Sequence, residues 1–341
     1  MHIKLGLIGF GNVLRAFAEL LQFKAPIIER DYDIQFSVVG ISTHSHGTAI
    51  DPNGLDLRAA LTIEALGELH HGEPLFDTFD FIEKCPADVM LEATWLDPKT
   101  GQPATDYVGA SLEMGKHVVT ANKGPVAFAH SELTRLARER NLGFFYESTV
   151  MDGVPIHSMR REGLLAVDVL KIRGVLNSTT NYILTRLQQG ISMEEAIRDA
   201  QNIGVAETDP SNDIDGWDAS IKIAILANTF MDADLRPIDV ERTGIRNVTM
   251  EQAQAAHRVG KGLKLLCEAY REGSEVKARV QPMPLDSSDP LSLLEGTNTG
   301  FVVVTDILNR IVVMGGDSGP DTTAYGMLVD AINIARGRRS W

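Results

Sequence analysis

The first eleven residues constrain this chain more than any others. MHIKLGLIGFG begins with an apolar run from His2 to Phe10 that alternates too little for a half-exposed strand, which predicts the buried first strand of a parallel sheet. It runs directly into GFGNVLRAF. Gly9 and Gly11 supply a tight turn and a close backbone approach, and the helix predicted from Val13 to Leu21 offers its N-terminus. Strand, glycine turn and helix in that order form a dinucleotide fingerprint, because the unpaired N–H groups of a helix start attract a pyrophosphate. The third glycine of the fingerprint is absent: Leu14 stands there and should push helix and strand slightly apart.

Later segments extend the same sheet. The second strand, Ile34 to Ser42, ends where an acid would favour NAD and an arginine NADP, yet it offers Ser42, Thr43 and His44. Arg58 is within reach of the same pocket but reads better as a surface residue of a helix. Strands from Asp88 to Thr94 and from Lys116 to Thr120 end in EATWLDP and TANKGPVA, which places Thr94 and Lys123 at carboxyl ends of parallel strands, where open α/β sheets bind ligands. Lys123, between Asn122 and Gly124, is either an ordinary loop lysine or a group beside a nicotinamide. A helix from Ser131 to Arg140 and a strand from Gly143 to Glu147 complete this half.

From Val150 the organisation changes. VMDGVPIHSMRREG predicts a helix with proline at its start, and a strand from Leu170 to Leu176 leads into NSTTNYILTRL, a helix capped by small polar residues. A helix from Met193 to Asn202, a helical run from Met250 to Glu272, a strand from Val276 to Val280, and paired strands Gly300 to Asp306 and Arg310 to Met314 follow. GGDSGPDTTAYGMLVDAINIAR is glycine-rich and then helical, so it predicts a second helix start aimed at the nucleotide and returns the chain to its first domain.

The chemistry is concentrated between Gln201 and Thr229. Asp-Pro, Ser-Asn-Asp and Asp-Gly signals make Glu207 to Asp218 a loop. From Trp217 a helix begins that is apolar on nearly every face, with the single lysine Lys222 among Ile and Ala. Asp218 lies four residues earlier, on the same face. A solvated ion pair of this kind contributes roughly a few tenths of a kcal/mol. The apolar neighbours instead place Lys222 indoors, and a buried lysine facing carboxylates is suited to hold a proton donor.

Composition narrows the partners. A length of 341 residues suggests about two domains. A formal net charge of -14 argues against nucleic acid, which requires clustered Lys and Arg. No apolar run approaches the roughly 18 residues of a membrane span, and no signal peptide precedes the first strand. Cys85 and Cys267 match no metal or CxxC spacing and read as reduced thiols of a cytoplasmic protein.

The motifs together resemble those of the homoserine dehydrogenases, over essentially the whole chain. Ala200 to Lys222, AQNIGVAETDPSNDIDGWDASIK, fits that family's signature of Ala, Gly, Asp-Pro, Asp, Gly, Asp and Lys without a gap, and GFGNV, TANKGP, VLNSTTNYIL and GPDTTA are similar to its other motifs. The resemblance implies an α/β fold: a Rossmann-type doubly wound parallel sheet domain, residues 1–147 and 316–341, and an α+β substrate and dimerisation domain, residues 148–315. It implies NAD(P)H-dependent interconversion of homoserine and aspartate semialdehyde by a homodimer paired through 300–314. Lys222 would be the proton donor or acceptor, with Asp218 beside it and Lys123 also catalytic. Gly204, Glu207, Asp213 and Asp218 would meet the substrate, Glu207 at its amino group. Gly9, Phe10, Gly11, Asn12, Val13, Thr94, Lys123 and Gly319 would line the cofactor. ESTVMDGVP resembles a monovalent-cation loop for an ion such as Na+, with Glu147, Val150, Asp152 and Val154 as ligands, Asp152 replacing a small residue. The regulatory domain that many relatives append is not expected in a chain that stops at Trp341. A related oxidoreductase acting on another small amino-aldehyde would keep the same motifs.

Overall fold

The computed structural model describes residues 1–316 and 318–339. Contacts divide the chain into two units, Met1–Arg161 with Ser318–Trp341, and Glu162–Asp317. The first unit thus extends past the expected end at Glu147. Asp317, Ser340 and Trp341, all within the expected C-terminal segment of the nucleotide domain, lie outside the described residues.

The first unit is built on β1 (His2–Ile8), β2 (Gln35–Ser42), β3 (Thr48–Ile50), β4 (Val89–Glu92), β5 (His117–Thr120) and β6 (Phe144–Phe145), in the order β3-β2-β1-β4-β5-β6. All neighbours are parallel except β3, which returns antiparallel on β2. The chain moves outward from β1 to β2, then comes back to place β4 on the other side of β1. That reversal is the switch point at which a doubly wound sheet opens a crevice. Helices α1 (Asn12–Tyr32), α2 (Leu57–Thr62), α3 (Thr78–Lys84), α4 (Ala104–Glu113), α5 (Lys123–Phe128), α6 (His130–Glu139) and α7 (Ile156–Gly163) connect or follow the strands. Leu14 is fully buried in the core cluster with Leu5, Leu7, Phe17 and Leu21. α1 runs well beyond the predicted end at Leu21, through Pro26, and stops at Asp33 in the left-handed region. The strand predicted over Gly143–Glu147 shortens to Phe144–Phe145, because the chain turns into a single 3-10 turn at Glu147–Thr149.

The second unit has a sheet of β7 (Val169–Val175), β8 (Glu241–Arg242), β9 (Lys261–Glu272), β10 (Glu275–Asp286), β11 (Thr299–Thr305) and β12 (Ile311–Gly315), ordered β12-β11-β7-β9-β10-β8. Its helices are α8 (Ser178–Gln188), α9 (Met193–Asn202), α10 (Ser211–Ile214), α11 (Trp217–Met231) and α12 (Met250–Arg258). α11 packs on the sheet, where Phe230 meets Phe301 edge to face at 6.0 Å. Two expectations are corrected here. The run from Met250 to Glu272 is not one helix: α12 stops at Arg258, Gly260 takes a positive φ of 75°, and β9 begins at Lys261. LKLLCEAY is an apolar stretch whose periodicity does not separate helix from strand, and antiparallel pairing with both β7 and β10 decides it. The loop from Glu207 to Asp218 also contains the short helix α10.

The last helix, α13 (Pro320–Ala335), belongs to the first unit, where Met327, Leu328 and Ile334 join the same core as α1. Among the described residues no helix is long and apolar enough to cross a membrane. Cys85 and Cys267 are both free and buried.

Candidate active site

In the first unit the glycine turn closes β1 at the switch point. Gly9 has φ +91°, and a Cβ there would meet the Ala93 carbonyl at 2.9 Å, so both conformation and clearance require glycine. Gly11 is the N-cap of α1, with no side-chain cap and no acidic residue in the first turn, and an added Cβ would meet nothing within 4 Å. A long helix therefore presents an uncapped start beside open space, a fit for a pyrophosphate. Asn12 is exposed at the first position of the helix, Val13 is partly buried, and the Phe10 ring lies in the core with the Arg15 guanidinium 5.4 Å above it. Gly319 is the N-cap of α13 and also has room around it, but its N–H donates to the Thr322 hydroxyl at 3.0 Å and Asp321 lies in the first turn.

The next polar residues are held by a group that the sequence did not advertise. Glu92, fully buried at the end of β4, accepts from the Thr94 backbone at 2.7 Å, from the Thr94 hydroxyl at 2.5 Å and from the Thr120 hydroxyl at 2.6 Å. Burial pushes its pKa up, and these hydrogen bonds oppose the shift. The carboxylate thereby ties the ends of β4 and β5 and aims Thr94. Asn122 caps α5 through its side chain and donates to the Thr94 carbonyl at 3.1 Å, which fixes Lys123 as the first residue of that helix. A cation at the positive end of a helix dipole is not there for helix stability. At the end of β2, Ser42 pairs with the Thr48 hydroxyl at 3.1 Å, and Arg58 is exposed on α2.

The 147–154 loop is tightly bound to its own unit. The Glu147 carboxylate accepts from the His157 and Ser158 backbones at 2.7 and 2.8 Å and from the Ser158 hydroxyl, so it is engaged at the start of α7. Its backbone N–H donates to Asp330 at 2.8 Å; burial and then the Glu147 charge raise the Asp330 pKa well above the ordinary value. Asp152 sits at φ 52°, and its buried Oδ2 has no hydrogen-bond partner. Val150 is buried and the Val154 N–H donates to the Met151 carbonyl at 3.1 Å. Among the described residues no group of three or more His, Cys, Asp or Glu forms a metal cluster. A cation here would find an orphaned carboxylate oxygen and backbone carbonyls, with the Glu147 carboxylate already committed.

The second unit gathers Asp213, Asp218 and Lys222. Lys222 Nζ lies 2.8 Å from Asp218 Oδ2 and donates to the Leu176 carbonyl at 2.8 Å. Asn177, the N-cap of α8, donates through Nδ2 to Asp213 at 2.6 Å and to Asp218 at 2.9 Å, while its Oδ1 accepts from the Thr180 backbone. Lys222 and Asp218 are 17% and 18% exposed, so the pair is half-buried at an open face of an otherwise buried helix rather than fully indoors. Asp213 is pushed up by burial first and by Asp218 second; Asn177 and Lys222 oppose both. The loop is braced from outside. Gly216 takes φ +80° to start α11, Arg246 pairs with Asp215 at 2.7 Å, and Arg242 donates to the Asp215 carbonyl while stacking 3.4 Å over the Trp217 ring. Gly204 turns the chain after α9 at φ +76°, and Glu207 is exposed, its carbonyl accepting from Gln201 at 3.1 Å. Asn177, Arg242 and Arg246 carried no local signal of these roles beyond the small polar cap before α8.

An uncapped α1 start at the switch point of a doubly wound sheet, with a second unit that positions a lysine among carboxylates, belongs to the class of nicotinamide-nucleotide oxidoreductases. Residues 155–332 match the homoserine dehydrogenase family. The chain is 37% identical over 334 residues to the homoserine dehydrogenase of Methanocaldococcus jannaschii, covering 96% of this chain and 97% of that one. It is 34% identical over 336 residues to the NAD(+)-dependent homoserine dehydrogenase of Pseudomonas canavaninivorans, covering 97% and 96%. The structure superposes on a hyperthermophilic archaeal homoserine dehydrogenase in complex with NADPH with TM-score 0.84 and 31% identity, covering 98% of each chain. The chain belongs to the homoserine dehydrogenase family.

The raised pKa of Asp213 has a consequence for stability. Its folded-state pKa lies above the ordinary 3.8, so the stability it contributes is full below that value and is lost as pH rises through the raised one. Asp213→Asn should therefore raise Tm at neutral pH and leave it near the wild-type value at about pH 3, where the carboxyl is protonated in both states. Thermal melts across that range check it; a difference that does not grow with pH would refute the assignment.

Proposed function

We propose that this chain interconverts L-homoserine and L-aspartate 4-semialdehyde with NAD(P)H, and that the carrying observation is the Lys222–Asp218 pair at 2.8 Å, bridged to Asp213 through Asn177. The cofactor, when bound, supplies the hydride. The uncapped start of α1, with Gly9, Gly11, Asn12 and Val13, holds its phosphates, Gly319 at the start of α13 lies against neighbouring groups, and Thr94 and Lys123 serve its nicotinamide side. Lys222 holds the proton that the substrate oxygen takes up on reduction and receives it back on oxidation. Asp218 keeps that lysine charged and aimed, and the cation also stabilises negative charge developing on the oxygen. The substrate's ammonium group is matched by acids, Glu207 and Asp213, with Gly204 beside them. The enzyme acts in the cytoplasm, in amino-acid biosynthesis.

Lys222→Ala should lower kcat by about 10²- to 10⁴-fold and leave nucleotide affinity close to wild type, since the lysine acts on the substrate oxygen. Glu207→Gln should mainly raise KM for homoserine. Nicotinamide absorbance with homoserine and each oxidised cofactor gives both numbers. A folded Lys222→Ala protein with wild-type kcat would overturn the proton-transfer role, and an unchanged KM in Glu207→Gln would remove the ammonium contact.

The protein acts as a homodimer through the β11 and β12 hairpin. β12 is an edge strand of the second sheet, and Val312 and Met314 on it, with Ile307 and Leu308 in the connecting turn, are exposed. An apolar edge strand is a template for pairing, and a two-fold axis covers it. Light scattering at micromolar concentration should report twice the chain mass; a monomer would contradict this interface.

A monovalent cation such as Na+ binds the 147–154 loop through the orphaned Asp152 oxygen and backbone carbonyls of Val150, Asp152 and Val154, next to Glu147. Replacing Na+ by choline should lower Tm, and Asp152→Asn, which keeps the left-handed backbone accessible, should abolish that difference. Equal melting in both salts would dismiss the ion.

A further inference from the structure

The second unit contains another polar pocket, outside the residues assigned to the reaction. A cavity of about 460 Å³ opens beside the C-terminal half of α8, its walls including Thr185, Gln188, Lys261, Lys264, Ser292 and Glu295. Pockets that take small molecules start at about 300 Å³, so the space is adequate. It lies apart from the acid–lysine cluster: Asn177 serves that cluster, and Thr185 follows eight residues later on the same helix, about 12 Å along its axis at 1.5 Å per residue.

Lys264 distinguishes this cavity from an ordinary surface cleft. It lies on β9 and is only 1% exposed. Its ammonium donates to Asn181 Oδ1 at 3.2 Å and to the Leu294 carbonyl, both neutral acceptors. Among the described residues no carboxylate oxygen comes within 4.0 Å of it. Burial lowers its pKa to about 8, against the field of nearby Glu295, so at neutral pH it still carries its charge. A buried cation without a counter-ion is unfavourable, and here the wall of a solvent-accessible cavity is where a counter-ion would relieve it. Glu295 stands exposed on the same wall, with His257 and Lys261 beside the opening. Lys261 is already paired with Asp286 at 3.0 Å.

We propose that this cavity binds a small α-amino acid, its carboxylate on Lys264 and its ammonium group on Glu295. A zwitterion fits because the wall offers one buried cation and one exposed anion, and it supplies the missing counter-charge without adding net charge. The site does not rest on the reaction proposed above.

The test uses the full chain with glycine and L-serine as probes, and acetate and methylammonium as the two halves of the ligand. At about 10 mM, glycine should raise Tm by about 3 °C, with acetate giving less and methylammonium nothing. Lys264→Met should abolish the response. Glu295→Gln, at an exposed position, should weaken glycine and leave acetate unchanged, and it decides the matter if Lys264→Met does not fold. Because glycine also carries an ammonium group that acids at the Lys222 cluster would attract, the response is repeated in Lys222→Ala. Retention there supports the cavity. A response lost in Lys222→Ala but kept in Lys264→Met would overturn the proposal, as would the absence of any response to glycine, L-serine and acetate in the wild-type chain.

Discussion

Two carboxylates held close together at a half-buried site repel each other, and the second unit is arranged around the means of keeping them there. One carboxamide, Asn177, donates to Asp213 at 2.6 Å and to Asp218 Oδ2 at 2.9 Å, and Lys222 meets that same Asp218 oxygen at 2.8 Å. Each of these donors is placed by regular structure. Asn177 is where β7 ends and α8 starts, so the sheet sets its position and the helix start, through the Thr180 N–H, sets its rotamer. Lys222 and Asp218 share a face of α11, a helix otherwise buried against the sheet. Burial first, and the remaining repulsion from Asp218 second, appear as the raised pKa of Asp213. A site of this kind is a strain that the rest of the unit has to support, which is why the loop is braced from outside by Arg242 and Arg246.

The first unit solves a different problem by omission. Its key helix start has no side-chain cap, so the N–H groups that a serine or aspartate would satisfy are left available to an anion. Order at the neighbouring strand ends then comes from below, from Glu92, whose burial is compensated by two hydroxyls and a backbone N–H.

What could be read in the sequence was whatever depends on near neighbours along the chain. Gly9 and Gly11 mark a turn of a few residues, and Asp218 and Lys222 are four apart on one helix, so both were visible before any fold was known. Asn177 was visible as a cap, because capping is local, but its contact with Asp213 spans 36 residues and left no trace. The same holds for Arg246 and Asp215, 31 residues apart. Glu92 looked like any acid after a strand; only complete burial gives it a role. β9 was mistaken for helix because LKLLCEAY is apolar without a clear period, and the pairing that makes it a central strand comes from β7, about ninety residues earlier. Helical propensity was overridden by partners that local sequence does not contain.

Lys222 and Lys264 show how one unit treats the same side chain in two ways. Lys222 has its counter-ion built into its own helix one turn away, at 2.8 Å. Lys264 is more deeply buried, donates to two neutral oxygens, and among the described residues has no carboxylate within ion-pairing distance. Its strand neighbours Leu263, Leu265 and Leu266 are apolar and buried, and the acceptors around its ammonium, Asn181 Oδ1 and the Leu294 carbonyl, ask for a donor but not for a charge. Within the chain such a cation is offset only by the field of exposed Glu295, and the cavity is where a further counter-charge could reach it. The difference between the two lysines is thus a difference in how closely the chain holds the compensating charge, an ion pair at 2.8 Å for Lys222 and only the more distant Glu295 for Lys264.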